Sequence, residues 1–470
     1  MKHTKILATY GPSVNSAAKL AELLAAGANG IRVNCSHGDP ASHEKAVRTI
    51  RQAAKSTQYP VAVLFDISGP KLRLDQFEGE IAVSQGDRIT LTKSGTDLAK
   101  RQVAVNHSAI IESLKKGERF YVDDGRVEFR ITSTSRDSVT AEAINGGVLT
   151  SGKGVNLPDT NLAIGTITSK DKKDLEAAVK LGADLVAISF VRSGDDIIEA
   201  KQIIKKFGGN QRVIAKLEKR EAIEKLENIL LLCDGVMIAR GDLGVELPPS
   251  EVPHIQREII RQANRNHKPV IVATQMLESM RFSPRATRAE ISDVAGAVYD
   301  YVDTVMLSAE TASGQYPVEA VKVMADVIKA TESSAPARRV VLDEYLISSP
   351  QARGIAEAVR STIDACPVAG IFAFTTSGFS AELISMLFPP YQVIALTPDE
   401  EVLRRLALRR SVYSIKSAHP KSIDDMGKRV DQICREHKLA KAGERVIISG
   451  GAPFGSTTPT NFMMIHEVRK

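Results

Sequence analysis

Three observations predict an α/β chain built on a TIM (β/α)8 barrel, with an inserted small β-barrel domain and a C-terminal open α/β domain. Eight short apolar, β-branched runs recur, most of them followed by an amphipathic helical stretch. That rhythm lapses after the third run and resumes only after residue 163. Charged and small polar residues gather at the carboxyl ends of six of the runs.

Taken in order, residues 6–10 form the first predicted strand, and Gly11-Pro12 turns the chain toward a helix at 17–26. The second strand, 30–35, precedes a helix at 40–54, and the third spans 61–66. Within the insertion, strands are expected at 81–84, 87–92, 120–122, 127–134 and 138–144, separated by Gly and Asp turn signals. A helix at 170–181 then leads into the fourth strand, 185–190, followed by a helix at 195–207. Strands five to eight fall at 213–217, 235–238, 269–274 and 303–307, with helices at 220–232, 251–266 and 317–330. Such ordered βα units favour a closed barrel over an open sheet. Past about Pro336, strands at 370–375, 392–395, 412–415 and 445–449 alternate with helices. The expected domains are therefore 1–70 with 164–336, the insertion 71–163, and the tail 337–470.

At 470 residues the chain is too long for one compact domain, and its 43% hydrophobic content supplies several cores. No apolar run reaches eighteen residues, so no membrane span is expected. Met1-Lys2-His3-Thr4-Lys5 leads into an apolar run that Gly11-Pro12 interrupts, too short for a signal peptide. Cys35, Cys233, Cys366 and Cys434 lie far apart without metal-ligand spacing, which suits reduced thiols in the cytoplasm. A net charge of +6, spread along the chain, favours anionic metabolites, and no aromatic-studded basic stripe suggests nucleic acid.

In barrels of this kind function collects at the carboxyl ends of the strands. There the chain reads Arg32-Val33-Asn34-Cys35-Ser36-His37-Gly38, Asp66-Ile67-Ser68-Gly69-Pro70-Lys71-Leu72-Arg73, Lys216-Leu217-Glu218, Ala239-Arg240-Gly241-Asp242, Ala273-Thr274-Gln275 and Ser308-Ala309-Glu310. Phosphoryl transfer needs positive charge on the moving group and a metal to neutralise it. Glu218 and Asp242, on neighbouring strands, suit one shared hard cation, with water and substrate oxygens completing its shell. Lys216 stands two residues before Glu218 and so faces the same side of its strand. There it is placed to stabilise a developing negative oxygen. Alone, Lys-x-Glu is most often a solvated strand end and Gly-Asp-Leu-Gly a turn. Their joint placement at six strand ends outweighs that reading.

Several of these segments resemble the signatures of the pyruvate kinase family, in family order and across essentially the whole chain. They are Thr4-Lys5-Ile6, the Arg32 and Ala239 segments, Ala273-Thr274-Gln275-Met276-Leu277-Glu278-Ser279-Met280 and Met306-Leu307-Ser308. The insertion is similar to the family's lid through Val122-Asp123-Asp124-Gly125 and Lys153-Gly154-Val155-Asn156-Leu157-Pro158. The tail is similar to its regulatory domain.

The resemblance implies a cytoplasmic glycolytic enzyme converting phosphoenolpyruvate and ADP to pyruvate and ATP, as a homotetramer. It implies Mg2+ or Mn2+ on Glu218 and Asp242, and Lys216 and Arg32 on the phosphoryl group. Ala239, Arg240, Gly241 and Thr274 would cradle the substrate carboxylate. Arg73 and Lys153 would reach nucleotide phosphates, with Asn34 and His37 nearby. Thr274 and Ser308 would border the route by which the enolate gains its proton.

Departures are informative. Most family members carry Glu where this chain has Lys71, and they require potassium. Members with Lys there resemble this chain and work without it, since a fixed ammonium replaces the local cation. Asn34, Ser36, Asp66 and Ile67 match the region that holds potassium elsewhere. Cys35, Ser193, Ala286, Ala309 and Ser313 also depart from the usual residues, and none of them removes a metal ligand or Lys216. In the tail, Thr375, Thr376, Ser377, Gly378 and Ser380 lie between a strand and a helix, a setting that suits phosphate. The loop from Ser449 to Thr458 is expected to close over it, and the resemblance implies a sugar phosphate or nucleotide monophosphate as effector. Two rivals share parts of this pattern: a metal-dependent carbon–carbon lyase, which has no use for Arg73 and Lys153 on a lid, and a non-catalytic sensor, which has no use for Lys216, Glu218, Asp242 and Thr274.

Overall fold

The computed structural model describes residues 1–160, 164–334, 349–453 and 458–470. The expected domain boundaries at 163 and 336 and the loop residue Thr457 lie outside them. Eight parallel strands close a barrel: Lys5–Thr9, Gly30–Asn34, Ala62–Ile67, Leu185–Ile188, Arg212–Leu217, Gly235–Ala239, Val270–Ala273 and Thr304–Met306. The first strand pairs with both the second and the eighth, which closes the ring. Most of these strands are buried along their whole length. Both faces are covered, one by barrel interior and one by helices, so the runs read as continuous apolar segments.

The helices Ala17–Ala26 and Pro40–Ala54 coincide with the stretches expected from periodicity. The stretch expected as one helix at 220–232 is instead two, Arg220–Glu224 and Leu226–Leu232, which meet at Lys225 (φ −108°, ψ 23°). Helix Arg288–Tyr299, between the last two barrel strands, was not anticipated. Only Val294, Ala297 and Val298 make its buried face, and the alanines, Ser292 and Gly296 dilute the apolar periodicity. Its start carries a capping box, in which Thr287 and Glu290 satisfy each other's backbone N–H groups.

Within the insertion, a six-stranded sheet and a two-stranded ribbon share one apolar core. Phe120 and Phe129 stack at its centre with ring centroids 4.9 Å apart. Strands Gln102–Ala104, Gly147–Thr150 and Val155–Asn156 were missed because runs this short carry no alternation signal. The C-terminal sheet holds the four expected parallel strands and adds an antiparallel edge, Phe462–Glu467.

The 3-10 turn Leu406–Leu408 belongs to the C-terminal sequence but fills the amino-terminal end of the barrel. Ala407 and Leu408 pack among Leu7, Leu64, Ile214 and Met237. The Thr304 hydroxyl donates to the Leu408 carbonyl at 2.8 Å. A side chain at Gly30 would come within 2.9 Å of Leu408 Cδ2, so glycine makes room for the plug. Beside it, the buried Asp184 carboxylate accepts hydrogen bonds from Val63 N, Arg51 and Arg404, each at 2.8 Å. Leu408→Ala should therefore destabilise the barrel by about 2–5 kcal/mol through the cavity it leaves. Guanidinium titration followed by far-ultraviolet circular dichroism reads this, and a loss below about 1 kcal/mol would show that the turn is only surface packing.

Candidate active site

Asp66 ends the third barrel strand and is 2% exposed. Both of its oxygens are engaged. Oδ2 accepts from Arg32 Nε at 2.7 Å, and Oδ1 lies 3.2 Å from Lys216 Nζ. Lys216 also donates to Ser189 Oγ at 2.7 Å and lies 2.6 Å from Glu218 Oε1. Glu218 Oε2 accepts the Phe190 N–H at 3.0 Å, whereas Oε1 is engaged only by its ion pair with Lys216. Four barrel strands thus send side chains to one point at the mouth.

The charges settle against burial. Desolvation is the largest influence on Lys216 and lowers its pKa, but Asp66, Glu218 and Asp242 together hold it above the usual lysine range. Desolvation likewise raises Asp66, and the adjacent Lys216 and Arg32 outweigh it to hold the carboxyl below its ordinary value. Asp242, in the first turn of the short helix Arg240–Glu246, is pushed up to about 6, first by burial and then by the negative charge of Glu218. Buried Glu218 and solvent-accessible Asp242 repel one another, and two adjacent carboxylates of this kind fit a hard divalent cation. Among the described residues no cluster of three or more metal-binding side chains occurs. Magnesium is commonly held by one or two carboxylates with water and substrate oxygens.

Around this centre the backbone is strained. Phe190, Thr274 and Gln275 have φ of 57°, 68° and 55°. Such angles are costly for bulky or branched residues and persist only where neighbours enforce them. Gly69 (φ +66°) lets the third loop pass under Phe190, whose ring would stand 2.7 Å from an added Cβ. Thr274 Oγ1 donates to the Ala273 carbonyl at 2.6 Å and accepts the Gly241 N–H at 2.8 Å. The Arg240 guanidinium turns away to Asp293 (2.6 Å) and the Thr274 carbonyl (2.7 Å). Only the backbone of Ala239-Arg240-Gly241 therefore remains to face a ligand.

Ser308 Oγ is buried with no hydrogen-bond partner. The Ser308 N–H is held by Glu310 Oε2 at 2.7 Å, and Glu310 Oε1 accepts Leu277 N at 3.1 Å. Glu310 is fully buried and its pKa is raised by that burial. Ser189 did not stand out as functional in the sequence, and Glu310 did so only as part of the strand end Ser308-Ala309-Glu310, with no role of its own. The only available signal for Glu310 was an acid inside an otherwise apolar and small-residue segment.

Between barrel and insertion lies a cleft of about 320 Å3, bordered by Lys71, Arg73, Asp123, Asp124, Lys153 and Asp242. Arg73 is anchored to the Gly152 carbonyl at 2.7 Å and Lys153 to Asp123 at 2.8 Å. Lys71 is exposed along its length, yet partial desolvation in the cleft, then Arg73 and Lys216, hold its ammonium below the usual range. Asp242 and Asp66 oppose that shift, which places Lys71 within the same charge cluster. Asn34 Oδ1 accepts the Ser36 N–H at 3.1 Å, and His37 is exposed beside them, its pKa lowered by desolvation and by Lys71, Arg73 and Arg32. Ile67 is buried beside Asp66.

Thr375, Thr376, Ser377 and Ser380 line a separate cleft of about 310 Å3 in the C-terminal sheet region. Gly378 donates to Thr375 Oγ1 at 2.9 Å, and Ser380 hydrogen-bonds Thr460. Asp66→Asn would leave two buried cations short of a counter-charge, at a cost of about 3–5 kcal/mol. Because the folded pKa of Asp66 is depressed, its contribution is present above about 3.9 and fades as pH falls toward the folded value. Chemical denaturation at neutral pH reads the variant, and equal stability of the two proteins would refute the estimate.

Family profiles described as "Pyruvate kinase, barrel domain" and "Pyruvate kinase, alpha/beta domain" match residues 1–321 and 353–466. The pyruvate kinase of Agrobacterium vitis is 39% identical over 99% of this chain and 97% of its own. That of Geobacillus stearothermophilus is 38% identical over 99% of this chain and 80% of its own. That of Clostridium perfringens is 35% identical, with 100% of both chains covered. On these matches the chain belongs to the pyruvate kinase family.

Proposed function

We propose the following division of labour for the family's reaction, in which the phosphoryl group of phosphoenolpyruvate passes to ADP, giving pyruvate and ATP. The observation that carries it is the convergence of Arg32, Lys216 and Glu218 around the buried Asp66. Arg32 and Lys216 bind the phosphoryl group as it moves, and Lys216 also faces the enolate oxygen. Backbone groups at Ala239-Arg240-Gly241 and the Thr274 hydroxyl, which turns from the Ala273 carbonyl to do so, orient the substrate carboxylate. Arg73 and Lys153, with Asn34 and His37, hold the nucleotide phosphates under the lid. Lid closure excludes water and strengthens each of these contacts. Thr274 and the unpartnered Ser308 hydroxyl border a water chain that brings a proton to the enolate carbon. Ketonisation of the enolate then draws the reaction toward ATP.

Glu218 and Asp242 would hold a magnesium ion, or manganese, which when bound neutralises phosphate and enolate charge. Lys71 supplies a fixed positive charge beside Asp66 and Asp242, in place of potassium. The hydroxyl-lined C-terminal cleft takes a phosphorylated effector, a sugar phosphate or nucleoside monophosphate. The enzyme works in the cytoplasm as a homotetramer, and among the described residues no helix is long and apolar enough to cross a membrane.

With phosphoenolpyruvate, ADP and magnesium, the protein should turn over with sodium or tetramethylammonium as sole monovalent cation. Lys216→Met should abolish turnover and Lys71→Glu should create a potassium requirement. Strong stimulation of the wild type by potassium would refute the role given to Lys71. A panel of sugar phosphates and nucleoside monophosphates should shift half-saturation for phosphoenolpyruvate, and Ser380→Glu should remove that response. If no compound shifts it, the effector reading fails.

A further inference from the structure

The loop after the second strand is held from outside the active site by two side chains with no part in the chemistry above. Its backbone is almost fully accounted for. Cys35 N donates to the Asp66 carbonyl at 3.0 Å and His37 N to the Asn34 carbonyl at 3.3 Å. The Cys35 carbonyl accepts the Lys170 ammonium at 2.6 Å. The His37 carbonyl meets His43 Nε2 at 2.9 Å. Both partners come from neighbouring helices, Lys170 from Ser169–Lys180 and His43 from Pro40–Ala54.

The two clamps are built differently. Lys170 reaches across the surface and is steadied by the buried Asp174 carboxylate at 2.6 Å. His43 is 4% exposed, its ring edge-on to Phe65 with centroids 6.1 Å apart. Since its partner is a carbonyl, Nε2 must carry the hydrogen. Nδ1 is buried without a partner, so the ring's one hydrogen bond is the one to the His37 carbonyl. Gly38 (φ +81°) follows the clamped carbonyl, and a side chain there would come 2.3 Å from Ser42 Oγ. The peptide carrying His37 is thereby pressed against the start of its own helix.

We propose that His43 and Lys170 are positioning residues that fix the Asn34–Gly38 loop in the orientation by which it meets the nucleotide. This rests on the assignment of Asn34 and His37 to nucleotide binding. His43→Phe keeps the ring against Phe65 but removes the donor, and His43→Gln retains an N–H at similar reach. Steady-state kinetics should show KM for ADP raised about 5- to 10-fold in His43→Phe, as expected for one lost hydrogen bond to a loop carbonyl. KM for phosphoenolpyruvate should change less than about twofold, and His43→Gln should restore most of the ADP affinity. Lys170→Met, at a half-exposed position, should raise KM for ADP in the same sense and carries the test alone if His43→Phe does not fold.

His37→Ala separates the two levels of the argument. If it leaves KM for ADP unchanged, the nucleotide assignment of the loop is wrong, and the positioning claim falls with it. If His37→Ala raises KM for ADP while Lys170→Met and any folded His43→Phe do not, the positioning claim alone is overturned. Equal effects on both substrates, unrelieved by His43→Gln, also overturn it, since they mark a general structural role.

Discussion

The site depends on a single buried carboxylate shared by two cations. Lys216 and Arg32 come from different strands, and both are mostly buried. Left to themselves, two such cations would repel each other and resist desolvation. Asp66 lies on the strand that pairs with the one carrying Arg32, and its two oxygens point to one cation each. That arrangement keeps both side chains charged and fixes their separation before substrate arrives. Electrostatic catalysis is effective because such groups need not reorganise during the reaction.

The rest of the mouth is arranged with the same economy of movement. Glu310 ties the ends of the seventh and eighth strands by accepting N–H groups from both, and so holds Ser308 in an unusual backbone conformation (φ −101°, ψ −100°). Thr274 is fixed at positive φ by bonds to Ala273, Gly241 and Arg240. Strain of this kind persists only in a well-packed surround. At the far end of the barrel, Leu408 and the Asp184 cluster seal the interior with C-terminal residues. The catalytic barrel is therefore not sealed by its own sequence alone.

The barrel was readable because buried parallel strands are short apolar runs with turn signals at each end, and nothing else in the chain imitates eight of them in order. The juxtaposition of Lys216, Glu218 and Asp242 was readable because strand ends place their residues at one face of a barrel. What escaped was set by contacts between distant segments. Ser189 has no pattern around it, and only its position across from Lys216 gives it a role. Asp66 was noted for its place in the potassium-binding region, but that it grips Arg32 and Lys216 follows from strand register rather than from spacing. Helix Arg288–Tyr299 lacks a clear apolar face, although its capping box was visible in Thr287 and Glu290. His43 reads as one more helical residue until its ring is seen to hold the His37 carbonyl.

Charge balance explains why a lysine at position 71 matters beyond its own contacts. The cations Arg32, Lys71 and Lys216 face the carboxylates Asp66, Glu218 and Asp242 in one cluster. The protein's contribution is close to neutral, so a divalent cation and an anionic substrate can enter as a mutually compensating pair. A tethered ammonium at position 71 has a local concentration fixed by the chain. This ammonium is held below the usual range first by desolvation in the cleft and then by repulsion from Arg73 and Lys216. Asp242 and Asp66 offset that repulsion, which ties the cation at the lid's base to the carboxylates at the floor of the site.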